Sequence, residues 1–353
     1  MFGYAIYYSQ FERQKKLLES LCLNKRSVFT SLHISEEVDA AYVSGVKDMC
    51  AYLHERGFEI IADVSNKTLE VFDESDIVLF AKKMHIAALR IDCGFSVQET
   101  ASIAERMPVY INASTVDCND AAIIAKRAVS ICALHNFYPR PETALDAAFF
   151  KRKNAALAAL GMQTAAFVPS DIQLRGPLYE GLPTLEAHRG VAPWAAFCDM
   201  CETYCVDAVF SGDGIVSQFD ALCIDEYCSS GIISVPVRFD APFSHLYDAV
   251  FTVRSDSPAS LLRLAESREY AQQGKPVAPQ NCALRARGAV TIDNENYKRY
   301  SGEIQIVKKD FPSDSRVNVI GHVPKKYALL LDAIPNGRKI RFRKMTDEEN
   351  ICA

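Results

Sequence analysis

The chain has 353 residues, a formal net charge of −5, and 49% hydrophobic against 24% charged residues, the composition of a soluble globular protein long enough for two domains. The acidic balance leaves no excess of cations to displace counterions, so no nucleic-acid partner is expected, although a locally basic pocket for a small anion is compatible with it. No stretch reaches the roughly 20 uncharged apolar residues of a membrane span. The opening Met1-Phe-Gly-Tyr-Ala-Ile-Tyr-Tyr8 lacks the basic and apolar regions of a signal peptide, and a cytoplasmic protein with no membrane partner is expected.

From the N-terminus, eight short β-type runs occupy residues 2–8, 27–33, 58–65, 87–93, 109–114, 130–136, 164–169 and 208–212, each followed by a segment able to form a helix. Regular β–α alternation implies a parallel sheet. Eight units over residues 1–236 predict an α/β fold, a (β/α)8 TIM barrel on the compact side. Val38, Tyr42, Val46, Cys50 and Leu53 recur at helical steps. Ser96-Val-Gln-Glu99 has the spacing of a capping box. Residues 143–146 repeat that theme before a helix over 147–160, with Gly161 where it would end.

Twelve cysteines in a chain without an export signal read as reduced thiols. Cys198, Cys201 and Cys205, the densest group, fall on one face of a helix starting near Pro193 and read as buried packing residues. With no fourth ligand at a recognisable spacing, no metal site is expected. A dinucleotide fingerprint and a Walker motif are also missing, so no cofactor is expected.

Alternation within the strands is more informative. Ser31 and His33, Asp63 and Ser65, Arg90 and Asp92, and Asn112 and Ser114 each share a face near the C-terminal end of their strand. In a barrel those ends form the mouth, where active sites lie.

Beyond Pro236 the pattern changes to short β-type runs at 249–253, 288–292, 303–307, 316–320 and 339–342, with brief helices near 258–267 and 327–333 and a Pro/Gly-rich loop over 272–280. A second, small β-rich domain over 240–347, a compact β-barrel, is expected.

Three stretches are dense in groups able to grip an anionic, polyhydroxylated ligand. Leu134-His-Asn-Phe-Tyr-Pro-Arg140 ends the sixth strand, and residues 174–189 form a long loop after the seventh. That loop carries Arg175, His188 and Arg189 as cations, with Gly176 and Gly181 permitting close backbone approach. The third stretch, residues 287–303, lies in the small domain, where Asp293-Asn294 also fits a hairpin turn.

These stretches resemble the MupG family of bacterial 6-phospho-N-acetylmuramidases. The resemblance rests on Arg90-Ile-Asp-Cys-Gly-Phe-Ser96, Asn112-Ala-Ser-Thr115, His135-Asn-Phe-Tyr-Pro-Arg140, Arg175-Gly-Pro-Leu-Tyr-Glu-Gly-Leu-Pro-Thr-Leu-Glu186, Thr291-Ile-Asp-Asn294 and Tyr300-Ser-Gly-Glu303. It implies a TIM barrel followed by a cyclophilin-like domain. The implied reaction is hydrolysis of the β-1,4 bond of 6-phospho-N-acetylmuramyl-N-acetylglucosamine, a phosphorylated amino-sugar disaccharide, during peptidoglycan recycling. One departure is Ala144, where the family pattern leads one to expect Gly.

Glycoside hydrolysis normally needs two carboxylates. Asp63 and Asp92, at matching ends of neighbouring strands about 4.8 Å apart, are the candidate catalytic pair, at roughly the 5 Å retaining spacing. Substrate-assisted attack by the acetamido group stays open beside it. Glu142, Asp171, Glu186 and Asp213 compete for the acid role. Arg175, His188 and Arg189, then His135 and Arg140, are the candidate partners for phosphate and lactyl carboxylate. Arg90, Asn112, Asn136, Gly176 and Glu186 complete the candidate substrate-binding set. A pyridoxal-phosphate racemase shares this layout, but Tyr7-Tyr8-Ser9 stands where its lysine would be. A non-catalytic sugar-phosphate sensor would need the cationic loop and not the aspartates. A monomer and a homodimer are both compatible with the sequence.

Overall fold

A computed structural model describes residues 1–20, 27–32, 41–268 and 276–345. His33, Val38 and residues 272–275 of the Pro/Gly-rich loop lie outside the described residues. The chain divides into two compact units, one comprising Met1–Pro193 and Tyr204–Gln218, the other Trp194–Thr203 and Phe219–Ala353.

The first unit is the expected barrel. Strands β1 (Phe2–Ala5), β2 (Ser27–Ser31), β3 (Glu59–Val64), β4 (Ile86–Ile91), β5 (Val109–Asn112), β6 (Ile131–Leu134), β7 (Gln163–Val168) and β8 (Ala208–Ser211) close on themselves in sequence order. Every pair within it is parallel, β1 to β8 included. The helices between them are α1 (Phe11–Ser20), α2 (Tyr42–Glu55), α3 (Asn66–Val71), α4 (Ile77–Lys83), α5 (Val97–Ala104), α6 (Cys118–Ala125) and α7 (Ala147–Ala158). Two-residue alternation sends Ala5, Phe29, Ile61, Ala88, Ala165 and Phe210 into one buried cluster inside the barrel. Gly3 is required at the start of β1, since a Cβ there would stand 2.4 Å from the Ser27 carbonyl oxygen and 2.6 Å from the Phe210 ring.

Local signals resolve unevenly. Ser96 and Glu99 form the reciprocal capping box at α5. At α7 the cap is Asp146, which accepts the Phe149 N–H at 2.8 Å, while the Thr143 hydroxyl turns to the Arg140 carbonyl instead. Gly161 ends that segment at φ 77°. Ala144 is not among the residues of positive φ, so its backbone does not require Gly.

In the second unit, α8 (Pro193–Glu202) and α9 (Gln218–Ser230) accompany a seven-stranded sheet in the order β10-β15-β9-β14-β12-β13-β11. Its strands are β9 (Ile233–Phe239), β10 (Val250–Thr252), β11 (Leu261–Arg263), β12 (Ala289–Asp293), β13 (Ile304–Val307), β14 (Val317–His322) and β15 (Lys339–Lys344), with α10 (Leu330–Ala333) before the last. Among the described residues β15–β9 pairs parallel and the other pairs are antiparallel. The small β-rich unit expected is thus present, and among the described residues its sheet order runs from β10 at one end to β11 at the other. The helix expected near 258–267 is instead β11 and a single 3-10 turn, Ala265–Ser267. Asp293 ends β12 and Asn294 caps a 3-10 segment, Glu295–Tyr300, in place of a tight hairpin turn. Cys198 and Cys201 lie on α8, but Cys205 is beyond its end and exposed. Cys93 and Cys228 are exposed too, so burial does not extend to all the thiols.

Candidate active site

The site is built on register. Ser31 stands opposite Asp63 across β2–β3, and Asp63 opposite Arg90 across β3–β4. These side chains share the inward face above the apolar interior, at the C-terminal end of the strands. Asp92 follows one pleat beyond Arg90.

Arg90 joins both aspartates. Its Nη1 lies 2.7 Å from Asp63 Oδ1 and 3.2 Å from Asp92 Oδ1, and its Nη2 donates to Asn136 Oδ1. One guanidinium nitrogen thus brings an oxygen of each carboxylate to the same point in the cavity wall. Burial disfavours the Arg90 charge, yet Asp63 and Asp92 outweigh it and hold the guanidinium above its ordinary value. Ser31 Oγ donates to Asp63 Oδ2 at 3.3 Å, and Asn112 Nδ2 donates to Asp92 Oδ1 at 2.7 Å. Asp63 is buried while the Asp92 side chain keeps 26% exposure.

A second row of bonds holds this group from behind. His135 Nε2 meets Asn154 Oδ1 of α7 at 2.7 Å, and its Nδ1 meets Ser114 Oγ at 3.2 Å. With a carbonyl oxygen at Nε2, that nitrogen carries the proton, Nδ1 accepts, and Ser114 donates to it. The same Ser114 oxygen accepts the Asn136 N–H at 3.0 Å, which orients the residue touching Arg90. Burial pushes His135 down to about 4. Burial thus favours its neutral form, and its two ring nitrogens are engaged by Ser114 and Asn154, none of the three lining the cavity.

A cavity of about 820 Å³ opens beside these groups. Asp63, Arg90, Asp92, Asn136, Arg175 and Gly176 line it, over Phe29, Phe137 and Phe167 and beside Pro177 and Tyr179. Ser31, Asp63, Arg90, Asp92 and Arg175, expected at one mouth, are thus brought together. Arg175 stacks its guanidinium 3.8 Å from the Tyr7 ring centre, and Tyr7 is fixed by donating to the Gly212 carbonyl at 2.8 Å. A Cβ at Gly212 would meet the Leu182 carbonyl oxygen at 2.5 Å, so glycine lets the loop after β7 close onto β8.

The other candidate cations have different surroundings. Arg189 pairs with Glu186 through Nε and Nη2 at 2.6 and 2.9 Å. It also donates to the carbonyls of Glu180, Gly181, Tyr138 and Arg140. It knits the 135–146 and 175–189 loops together and does not line the cavity. Glu186 is held down to about 2, first by Arg189, and also accepts the Ala144 N–H. His188 is buried, its ring roughly perpendicular to that of Tyr204, and Arg140 is exposed. Neither lines the cavity.

Nor do the competing carboxylates. Asp171 accepts the Ser217 N–H, and Glu142 is an exposed residue at φ 68°. Asp213 is buried and accepts the N–H groups of Ser170, Arg175 and Leu182 at 3.1, 2.9 and 3.0 Å. Burial raises its pKa against the lowering effect of those amides and of Arg175. Sequence reasoning missed Tyr7, Phe137 and Tyr179 as site residues. For Tyr7 the signal was available, since it continues the inward alternation of Gly3 and Ala5. Among the described residues, no group of three or more His, Cys, Asp or Glu side chains could hold a metal ion, and no helix is long and apolar enough to cross a membrane.

This arrangement has solved counterparts. A conserved Enterococcus faecalis protein of unknown function is similar over 100% of this chain and 98% of its own, at 31% identity and a TM-score of 0.84. An uncharacterized B. cereus protein is similar over 98% of this chain and 99% of its own, at 22% identity and a TM-score of 0.77, a likeness of fold. No curated protein matches. Residues 2–222, which hold the whole aspartate–arginine group and its cavity, match the N-terminal domain of the 6-phospho-N-acetylmuramidases, and residues 238–343 match their C-terminal domain. The chain belongs to the 6-phospho-N-acetylmuramidase family.

Proposed function

We propose that this protein is a cytoplasmic glycoside hydrolase that cleaves the β-1,4 bond of 6-phospho-N-acetylmuramyl-N-acetylglucosamine in peptidoglycan recycling, with no cofactor. The observation that carries this reading is the pair Asp63 and Asp92 on one arginine, in a cavity that also holds Arg175. Asp63, buried and closer to Arg90, takes the anionic role, as nucleophile or as the group that polarises the substrate acetamide. Asp92, reachable by water, carries the proton to the leaving oxygen and recovers it from solvent. Arg175, flattened on Tyr7, presents a planar fork to the phosphate. The second unit would be the cyclophilin-like domain that the sequence resemblance implies.

Incubation with the phosphorylated disaccharide, followed by proton NMR of the anomeric signals, tests the proposal. Release of both monosaccharides with retention at the anomeric carbon is expected. Arg175→Ala should raise KM for this disaccharide far more than for its unphosphorylated analogue, and equal losses would remove the phosphate role. If the wild type only binds the sugar, and Asp63→Asn and Asp92→Asn proteins bind it equally well, the protein is a sensor and not an enzyme.

A further inference from the structure

Tyr179 is not explained by the chemistry above. It lines the same cavity as Arg175, Asp63 and Asp92, yet it is 63% exposed. Its backbone stands at φ 57°, a left-handed conformation that an aromatic residue adopts at a cost. A large apolar ring held in water on an unfavourable backbone is retained when something else stabilises that geometry. Two anchors do so. Asp213 accepts the N–H groups of Arg175 and Leu182, on either side of the turn, and Arg189 donates to the carbonyls of Glu180 and Gly181, immediately after Tyr179. Within the turn, the Tyr179 N–H donates to the Arg175 carbonyl at 3.2 Å.

One turn therefore presents two side chains in opposite senses. Arg175 reaches inward to the fully buried Tyr7 ring. Tyr179 stays at the outer edge with its hydroxyl end close to Gly176, where a Cβ would lie 3.2 Å from that oxygen. Burial orders the cavity in depth, from Phe29 and Phe167 at 1% exposure, through Arg90 at 3% and Asp63 at 6%, to Tyr179 at 63%. With the buried aspartates below and Tyr179 exposed at the rim of the same cavity, a second ring that leaves the reacting bond toward solvent meets the Tyr179 side chain. An equatorially substituted pyranose presents a face of C–H groups, and an aromatic face is the surface that matches it.

We infer that Tyr179 is a specificity-determining residue, the platform on which the uncharged leaving-group sugar of the substrate stacks. This rests on the glycosidase reading and adds to it the recognition of the second ring. Arg175 selects the charged ring and Tyr179 the neutral one, and the turn between them fixes their spacing.

The test compares the phosphorylated disaccharide with the methyl β-glycoside of 6-phospho-N-acetylmuramic acid, which keeps the charged ring and lacks the second. For Tyr179→Ala, kcat/KM on the disaccharide should fall roughly ten-fold or more, the loss of one aromatic contact, while the methyl glycoside stays within about two-fold of wild type. Tyr179→Phe should retain wild-type rates on both, since the ring and not the hydroxyl is required. Equal losses on the two substrates for Tyr179→Ala would mean that the residue only shapes the Arg175 turn, and the inference fails while the glycosidase reading stands. An unchanged rate on the disaccharide also overturns it. Wild-type protein that cleaves neither substrate overturns the glycosidase reading and this assignment with it.

Discussion

Arg90 Nη1 stands between Asp63 and Asp92, 2.7 Å from one and 3.2 Å from the other. A single buried cation thus compensates two carboxylates that would otherwise repel each other. Two like charges this close cannot both remain ionised without it.

Replacing Arg90 with Met removes that compensation from buried Asp63, which keeps the Ser31 hydrogen bond but loses the cation. Breaking a buried ion pair from one side typically costs about 3–5 kcal/mol, so the urea midpoint should drop markedly. Without that cation the anionic form of Asp63 is disfavoured, so the acid limb of the pH–rate profile should move upward. Arg90→Lys keeps the charge but, as a compact ammonium, cannot reproduce the fork reaching Asp63 and Asn136. It should recover stability better than rate. Wild-type pH dependence in Arg90→Met would contradict this account.

His135 makes a separate prediction about pH. Its folded value of about 4 lies below the ordinary 6.5. Between those values the unfolded chain binds a proton that the folded chain does not, so stability is full above about pH 6.5 and falls as pH drops toward 4. The loss across the window is about 3 kcal/mol. Urea unfolding at several pH values should show this slope, and a His135→Gln protein should show a flatter one. An unchanged slope in the variant would place the proton elsewhere.

Much of this site was legible in the sequence, for a physical reason. Strand alternation is a property of the backbone, so Ser31, Asp63, Arg90 and Asn112 could be placed on one face before any contact was known. Partners are a property of tertiary structure, and there the sequence was mute. Arg189 looked as suitable for phosphate as Arg175, but six donor contacts to Glu186 and to backbone carbonyls hold it in the loop. The same limit explains β11. Leu-Leu-Arg-Leu has strong helix formers, yet Leu262 and Leu264 are buried while Leu261 and Arg263 are only partly so, a two-residue period imposed by pairing with β13.

Asp213 and Arg175 are coupled through the backbone, and this can be tested by removing one charge. Asp213→Asn leaves one carbonyl oxygen facing three N–H groups and turns an amide NH2 toward at least one of them. Leaving such donors unsatisfied costs about 1–3 kcal/mol. The loop from Ser170 to Leu182 should loosen, seen as faster proteolysis within it. Because Arg175 moves with the loop, KM for the phosphorylated disaccharide proposed as substrate should rise more than kcat falls. Unchanged proteolysis would mean that other contacts hold the loop.

In the second unit, Asp220 is fully buried and accepts from two elements: Tyr327 OH at 2.6 Å, and the N–H of Trp194 at the start of α8 at 2.9 Å. Trp194 is buried as well, and its indole donates to the Ser234 carbonyl on β9 at 2.7 Å. One carboxylate thus ties α8, α9 and the turn before α10 to the same sheet. Tyr327→Phe removes one charge-assisted bond without opening a cavity, and should cost about 1.5–3 kcal/mol. Asp220→Ala removes the acceptor of both of these bonds, so its loss should exceed that of Tyr327→Phe. The double variant should then fall no further than Asp220→Ala alone, because the tyrosine bond is already gone in it. Additive losses, measured by urea unfolding, would show that Tyr327 acts through packing and not through Asp220.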